Sequence, residues 1–217
     1  MPRSPRIVIP HMPHHVTHRG TRRQSTFFSD KDYQAYIDTL SQCCRYFGVK
    51  IIAYCLMPNH VHLVCEPERE DSLRFAIGTA HETYSKQINY EKGWSGHLWQ
   101  GRFFSAPMDE EYLAACVRYV EMNPVRAGIC ESPLSYRWSS AQAHVNGADD
   151  KLVKVAPMLD RFPDWEDFLG LEVNANDLDC IRMRSRTGRP IGSDSFLKDL
   201  ENITGRAFLK QKPGRKL

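Results

Sequence analysis

No run in the 217 residues approaches the roughly twenty apolar residues that a helix needs to cross a bilayer. The N-terminus carries no continuous apolar segment of the export type, which speaks against secretion. Cys-x-x-Cys spacing is also missing. The cysteines (Cys43, Cys44, Cys55, Cys65, Cys116, Cys130 and Cys180) are odd in number and mostly sit in apolar runs. That pattern speaks against a structural zinc site and fits reduced core thiols in a cytoplasmic protein. Strong net charge is lacking too: 29 Lys+Arg against 26 Asp+Glu leave +3. The distribution is uneven, however. Residues 181–217 carry ten basic and three acidic side chains, and residues 146–180 carry three and nine. A near-neutral body is therefore followed by an acidic segment and a basic tail. Such a tail either binds phosphate, on nucleic acid or an anionic surface, or is a solvated terminus. A chain of this length builds one sizeable core with a small extension, and it shows no internal repeat.

The body alternates strand and helix patterns. His14 to Thr26 reads as a strand whose middle, Arg19-Gly20-Thr21-Arg22-Arg23, is a loop or bulge. Ser29 or Asp30 can cap a helix with Tyr33, Ile37, Leu40, Cys44 and Phe47 on one face, and Gly48 can stop it. Val49 to Met57 is apolar on both faces, as in a central strand. Pro58-Asn59 turns into a second strand from His60, and Ser72 to Tyr90 forms the next helix, with Ile77, Ala80, Tyr84 and Ile88 inward. The fold class is α+β: a ferredoxin-like βαββαβ sandwich with an added tyrosine-bearing helix and a small basic C-terminal extension. The expected organisation is a body over 1–145, an acidic connector over 146–180 and a basic tail over 181–217.

The strand Met57-Pro58-Asn59-His60-Val61-His62-Leu63-Val64 carries the most chemistry. Alternate residues share a strand face, so His60 and His62 project side by side while Val61, Leu63 and Cys65 enter the core. Two imidazoles at that spacing suit half of a divalent-metal site; they can equally hydrogen-bond to neighbours. Asp109 to Asn123 reads as a helix capped by Asp109, with Glu110 and Glu111 at the positive end of its dipole. Leu113, Val117 and Val120 make one apolar stripe, and Tyr112, Cys116, Tyr119 and Asn123 make a second. Pro124 is expected to end this helix. Tyr119 and Asn123 then lie four apart in its last turn, where an amide could complete the metal site and a phenol could face the substrate. Tyr84 falls in the apolar register of its own helix, and Tyr112 is about 10 Å along from Tyr119. His11, His14, His15 and His18 spread over both strand faces and read as surface or DNA-facing groups.

The His60-Val61-His62 motif and the segment Arg118-Tyr119-Val120-Glu121-Met122-Asn123-Pro124-Val125-Arg126-Ala127-Gly128 together resemble the single-tyrosine HUH transposases. Within them the chain looks most like the REP-associated tyrosine transposase branch. Arg6-Ile7-Val8-Ile9-Pro10, His14-His15-Val16-Thr17-His18-Arg19-Gly20 and Leu98-Trp99-Gln100-Gly101-Arg102-Phe103 follow the same family in order, over roughly residues 5 to 140. The resemblance implies the ferredoxin-like fold and a transposase catalytic domain over 1–145. It also implies a metal-dependent single-strand DNA nuclease and strand transferase that acts on hairpin-forming repeated palindromes, located in the cytoplasm on the nucleoid. His60, His62 and Asn123 would hold Mg²⁺ or Mn²⁺, and Tyr119 would attack the scissile phosphate to give a 5′-phosphotyrosine and a free 3′-hydroxyl. A phenol of reference pKa near ten needs help to ionise, and no residue stands out as general base. Insertion-sequence relatives are dimers, whereas this branch can act as a monomer.

Residues expected to meet DNA are Arg19, Arg22 and Arg23 as a basic patch, Trp99 and Arg102 among Gln100 and Phe103, and Arg126 after the tyrosine helix. In the tail, Arg186-Thr187-Gly188-Arg189-Pro190 resembles a minor-groove arm, with a fainter echo in Pro213-Gly214-Arg215-Lys216. Ser193 to Thr204 reads as a short helix that must dock on something. The acidic segment, with Trp165, Phe168 and Leu169, reads as a packed connector. Two rivals stand beside the transferase. One is a hairpin-binding regulator with the same fold and no catalysis. The other, a His-x-His hydrolase of the metallo-β-lactamase type, fails because Val64 and Cys65 stand where an Asp and a further His belong.

Overall fold

A computed structural model describes residues 6–209 apart from Val173, with only the backbone of Arg186; the Pro213–Lys216 echo lies outside the described residues. One four-stranded antiparallel sheet has the order β2-β3-β1-β4. Its strands are β1 (His14–Arg19), β2 (Val49–Met57), β3 (His60–Pro67) and β4 (Phe104–Pro107). Helix α1 (Asp30–Phe47) joins β1 to β2, and α2 (Ser72–Lys92) joins β3 to β4. This is the expected βαββαβ topology.

Local chemistry accounts for the boundaries. The Asp32 carboxylate accepts from the backbone N–H groups of Phe28 (2.7 Å) and Ser29 (2.9 Å), closing the start of α1. Gly48, at φ 67, ends it in the left-handed conformation that glycine adopts without strain. β1 is shorter than expected and stops at Arg19. Arg22 and Arg23 then take φ 55 and φ 64, so the chain leaves the sheet in a tight turn instead of a bulge.

Helices α1 and α2 cover one face of the sheet, where Ile77, Ala80, Tyr84 and Ile88 are all fully buried. The other face is covered by α3 (Glu110–Glu121), with α4 (Asn123–Arg126) following at once. Three short helices come next: α5 (Ala141–Val145), α6 (Ala156–Leu159) and α7 (Trp165–Gly170). Helix α8 (Ala175–Thr187) packs on β1 and β4, and α9 (Asp194–Thr204) completes the order. No helix among the described residues is long and apolar enough to cross a membrane.

The acidic segment is packed, as its aromatic residues suggested. Trp165, Phe168 and Leu169 are buried. The indole N–H of Trp165 donates to the fully buried Glu121 carboxylate (2.8 Å), which also accepts from Ser140 Oγ (2.5 Å) and pairs with His144 Nδ1 (2.7 Å). One carboxylate thus ties α3 to α5 and α7. The free edge of β2 is covered as well: Leu56 N–H donates to Trp138 O, and Lys154 N–H donates to Ile51 O. The tail docks in turn, because the Asp109 carboxylate caps α3 and accepts from Ser193 N–H (2.8 Å). A Cβ on Gly192 would crowd that carboxylate, so glycine permits the approach.

Candidate functional site

β3 leaves the Asn59 turn with His60 and His62 on the sheet face that α3 and α8 cover. Antiparallel pairing sets Arg19 beside His60 and Thr17 beside His62. His15, two residues before Thr17, shares that face. Tyr119 descends from α3, its ring edge-on to His62 at 5.7 Å and to His15 at 6.0 Å between centroids. The rings of His60 and His62 are 4.9 Å apart. An open cavity of about 520 Å³ is lined by His60, His62, Tyr119 and Asn123, with Arg19 and Arg23 at one side and Arg182 and Ser185 of α8 at another.

Each site imidazole has one nitrogen engaged. His60 Nδ1 lies 2.6 Å from Asn59 Oδ1, and His62 Nδ1 lies 2.9 Å from His15 Nε2. His15 Nδ1 continues to Ser185 Oγ at 2.6 Å. Among the described residues nothing bonds Nε2 of His60 or of His62, nor the Asn123 amide. The rings are neutral at neutral pH. Burial first, and then Arg19, lowers His60 to about 4; burial lowers His15 to about 3. His62 falls well below its usual value, from burial first and from the neighbouring His60 and His15 next. A carboxylate would be the usual further ligand for a divalent ion, but the described residues hold no group of three His, Cys, Asp or Glu side chains able to bind one. The donor set on offer is two neutral imidazoles and one amide oxygen. It fits a divalent cation that completes its shell with substrate oxygens, because each ligating imidazole has its other nitrogen held.

Several expectations change here. His14, His15 and His18 are buried, not surface groups. His14 bonds the Met12 carbonyl, His15 enters the site, and His18 enters the core on the opposite face. Tyr119 and Asn123 do not share one helix: Met122, at ψ 0, breaks it, and Pro124 stands in the first turn of α4. A proline lacks only an N–H that a first turn leaves unpaired anyway, so it starts α4. Both side chains still line the one cavity. Tyr84 donates to the Thr26 carbonyl (2.7 Å) inside the core. Tyr112 faces the α8 residues Cys180 and Asp177, and its phenol is raised to about 12 mainly by burial.

The basic residues divide into groups. Arg19 and Arg23 line the cavity, while Arg22 is exposed beside it. Arg126 stacks on the Tyr119 ring, its guanidinium carbon 4.0 Å from the centroid, and donates to the Tyr119 carbonyl (2.8 Å). Arg102 and Arg189 line an adjoining recess with Arg6, and Phe104 borders both that recess and the cavity. Trp99 is buried and stacks against the hydrogen-bonded pair His18 (4.9 Å) and His81 (4.5 Å). The Arg186 side chain lies outside the described residues. His15, Arg182 and Ser185 were missed. The alternation His15-Thr17-Arg19 puts His15 on the face of Arg19, but only the pairing of β1 with β3 makes that the site face, and nothing local in the sequence marks the other two.

The family described as Transposase IS200 like matches residues 9–123, more than half of the chain, from before β1 through Asn123. A Haemophilus influenzae protein described as a REP-associated tyrosine transposase is 27% identical over 110 residues. That match takes in 46% of this chain and 62% of the relative, less than two thirds of the relative's length. A solved REP-associated tyrosine transposase bound to a REP hairpin shares the fold, with a TM-score of 0.55 at 20% identity over 70% of this chain and 90% of that one.

Proposed function

The chain belongs to the IS200-like transposase family, and we propose that it is a metal-dependent single-strand DNA endonuclease and strand transferase acting on hairpin-forming repeats. One observation carries the reading. Tyr119 stands against His62, and His60 lines the same cavity; nothing among the described residues bonds Nε2 of either neutral imidazole, and the described lining side chains of full charge are the arginines Arg19, Arg23 and Arg182. That charge suits a phosphodiester, and among the described residues no carboxylate lines the cavity to oppose it.

His60 Nε2, His62 Nε2 and the Asn123 amide oxygen would hold Mg²⁺ or Mn²⁺, which when bound supplies Lewis acidity to a phosphate oxygen. The chain's own residues do the rest. Arg19, Arg23 and Arg182 hold the strand by its phosphates, and Arg126 fixes the Tyr119 ring from one face. The Tyr119 oxygen forms a bond to phosphorus as the 3′-oxygen leaves; the phenol gives up its proton and the leaving oxygen gains one. The product is a 5′-phosphotyrosine and a 3′-hydroxyl. Reversal by another 3′-hydroxyl joins strands with no external energy source. Arg6, Arg102 and Arg189 extend the cationic surface past Phe104. Arg6 is lowered to about 10 by burial first and then by Arg102 and Arg74, a crowding of like charge that a DNA phosphate would relieve.

The test is a denaturing gel that follows labelled hairpin oligonucleotides with single-stranded flanks, in Mg²⁺ or Mn²⁺. A covalent adduct is expected with the intact protein and is lost in Tyr119→Phe and in His60→Ala. Tight hairpin binding without adduct, across flanks and metals, would replace the transferase with a hairpin-binding regulator.

A further inference from the structure

We infer that Ser185, on helix α8, is a positioning residue that sets the tautomer of His62 through His15, leaving His62 Nε2 as a bare lone pair facing the cavity. The inference rests on the proposed role of His62 as a ligand for the reaction's cation.

The chain of bonds has one direction. Ser185 Oγ lies 2.5 Å from the Ile181 carbonyl oxygen one turn earlier in α8. Two oxygens that close require a hydrogen between them, and a carbonyl has none to give, so the hydroxyl hydrogen points at Ile181. Ser185 Oγ is then only an acceptor toward His15 Nδ1, 2.6 Å away, which must therefore carry the proton. A neutral imidazole carries one N–H, so His15 Nε2 accepts. Its partner, His62 Nδ1 at 2.9 Å, must donate. His62 Nε2 is left unprotonated toward Tyr119 and Asn123. The opposite direction would strand two oxygens at 2.5 Å without a hydrogen and would turn His62 Nε2 into an N–H, which cannot ligate a cation. His15 is fully buried and Ser185 is 6% exposed, so water does not compete for these bonds.

Removing the hydroxyl should therefore act 47 residues away from His15, on His62. In Ser185→Ala the His15 Nδ1–H loses its acceptor. The pair relieves this by moving the proton to His15 Nε2, which donates to His62 Nδ1 and forces the His62 proton onto Nε2.

Imidazole ¹⁵N–¹H correlation spectra of the metal-free protein, without DNA, read this directly. The wild type is expected to show His62 protonated on Nδ1, and Ser185→Ala to show Nε2 protonated or a mixture. Ser185→Thr, which keeps the hydroxyl, should restore the wild-type pattern. Manganese titration followed by water relaxation should show a loss of affinity of about 10- to 100-fold in Ser185→Ala, the usual effect of removing a hydrogen-bond partner behind a metal ligand. A wild-type spectrum with His62 Nε2 protonated overturns the inference, and it does so even if Ser185→Ala fails to fold. An unchanged His62 tautomer in a folded Ser185→Ala overturns it too. Because the spectra need neither metal nor DNA, a correct tautomer with no covalent adduct would count against the transferase alone.

Discussion

Of the histidines on strand β1, His15 enters one face of the sheet and His18 the other, and each meets a second histidine there. On the α1/α2 face, His18 Nε2 bonds the Gly101 carbonyl (3.1 Å), His18 Nδ1 meets His81 Nδ1 (2.7 Å), and His81 Nε2 meets Tyr36 Oη (2.8 Å). The carbonyl must accept, so His81 donates to His18 and Tyr36 donates to His81. Every ring nitrogen is occupied, and Trp99 stacks on both rings. On the α3/α8 face the chain also starts from a carbonyl, Ile181, but it ends on His62 Nε2 at a cavity. The histidine pair itself carries no functional information. The unused end of the chain does.

The largest effect should come from cutting the two chains at corresponding points. His62→Ala is expected to reduce adduct formation to background while leaving the urea midpoint close to wild type, because the vacated space opens onto the cavity. His81→Ala should do the reverse. It leaves His18 Nδ1 and the Tyr36 hydroxyl without partners at buried positions and costs about 2–6 kcal/mol, roughly 1–3 per buried orphan. The molecules that remain folded should keep full adduct yield. Equal activity losses in the two variants would erase the distinction between the faces.

Acid should then sharpen what the two chains share. His14 and His18 are held near 4, His15 near 3 and His60 near 4, each chiefly by burial. Folded values lie below the unfolded value near 6.5, so the unfolded chain binds more protons in between. Stability is therefore fully present above about pH 6.5 and is lost as pH falls toward 4, by about 1.4 kcal/mol per pH unit for each such histidine. Urea melts at pH 7 and pH 5 should differ by several kcal/mol, and His18→Phe should flatten that slope. A pH-independent midpoint over this range would show that the buried rings are hydrated.

A smaller effect isolates the last bond of the closed chain. Tyr36→Phe keeps the ring but removes the donor to His81 Nε2, at about 1–3 kcal/mol and with no change in adduct yield. Loss of activity at unchanged stability would mean that the α1/α2 face communicates with the site.

How much of this was legible depends on the range of the signal. The i, i+2 spacing of His60 and His62 on an apolar strand is local, and it placed both rings on one face. The helical stripe carrying Tyr119 is local as well, and Gly48 and Ser29 marked the ends of α1. The break at Met122 was not legible, because Pro124 is compatible either with ending a helix or with starting one. His15 could not be assigned while the partner of β1 was unknown: pairing with β3 makes it a neighbour of His62, and a different strand order would have left it in the core. Ser185 lies 170 residues from His15. Only the docking of α8 onto β1 and β4 brings it there, and an ordinary serine within Arg182-Met183-Arg184-Ser185 carries no mark of that.

The smallest effect concerns the other site histidine. His60 has its own fixing partner, Asn59 Oδ1 at 2.6 Å, and the Asn59 amide donates to the Arg23 carbonyl at 3.2 Å. This arrangement parallels Ser185 and His15 with one physical difference: Asn59 and His60 are part-exposed, so water can replace the lost acceptor. Asn59→Ala should therefore weaken manganese binding by only a few-fold, in line with about 1 kcal/mol for a hydrogen bond exchanged with water. It should leave the His60 tautomer mixed, not reversed. Asn59→Asp, which keeps an acceptor on the same side, should recover the affinity. If Asn59→Ala proves as damaging as Ser185→Ala, burial is not what makes the His15 chain decisive. The left-handed Arg23 that Asn59 also holds would then be the better explanation of the loss.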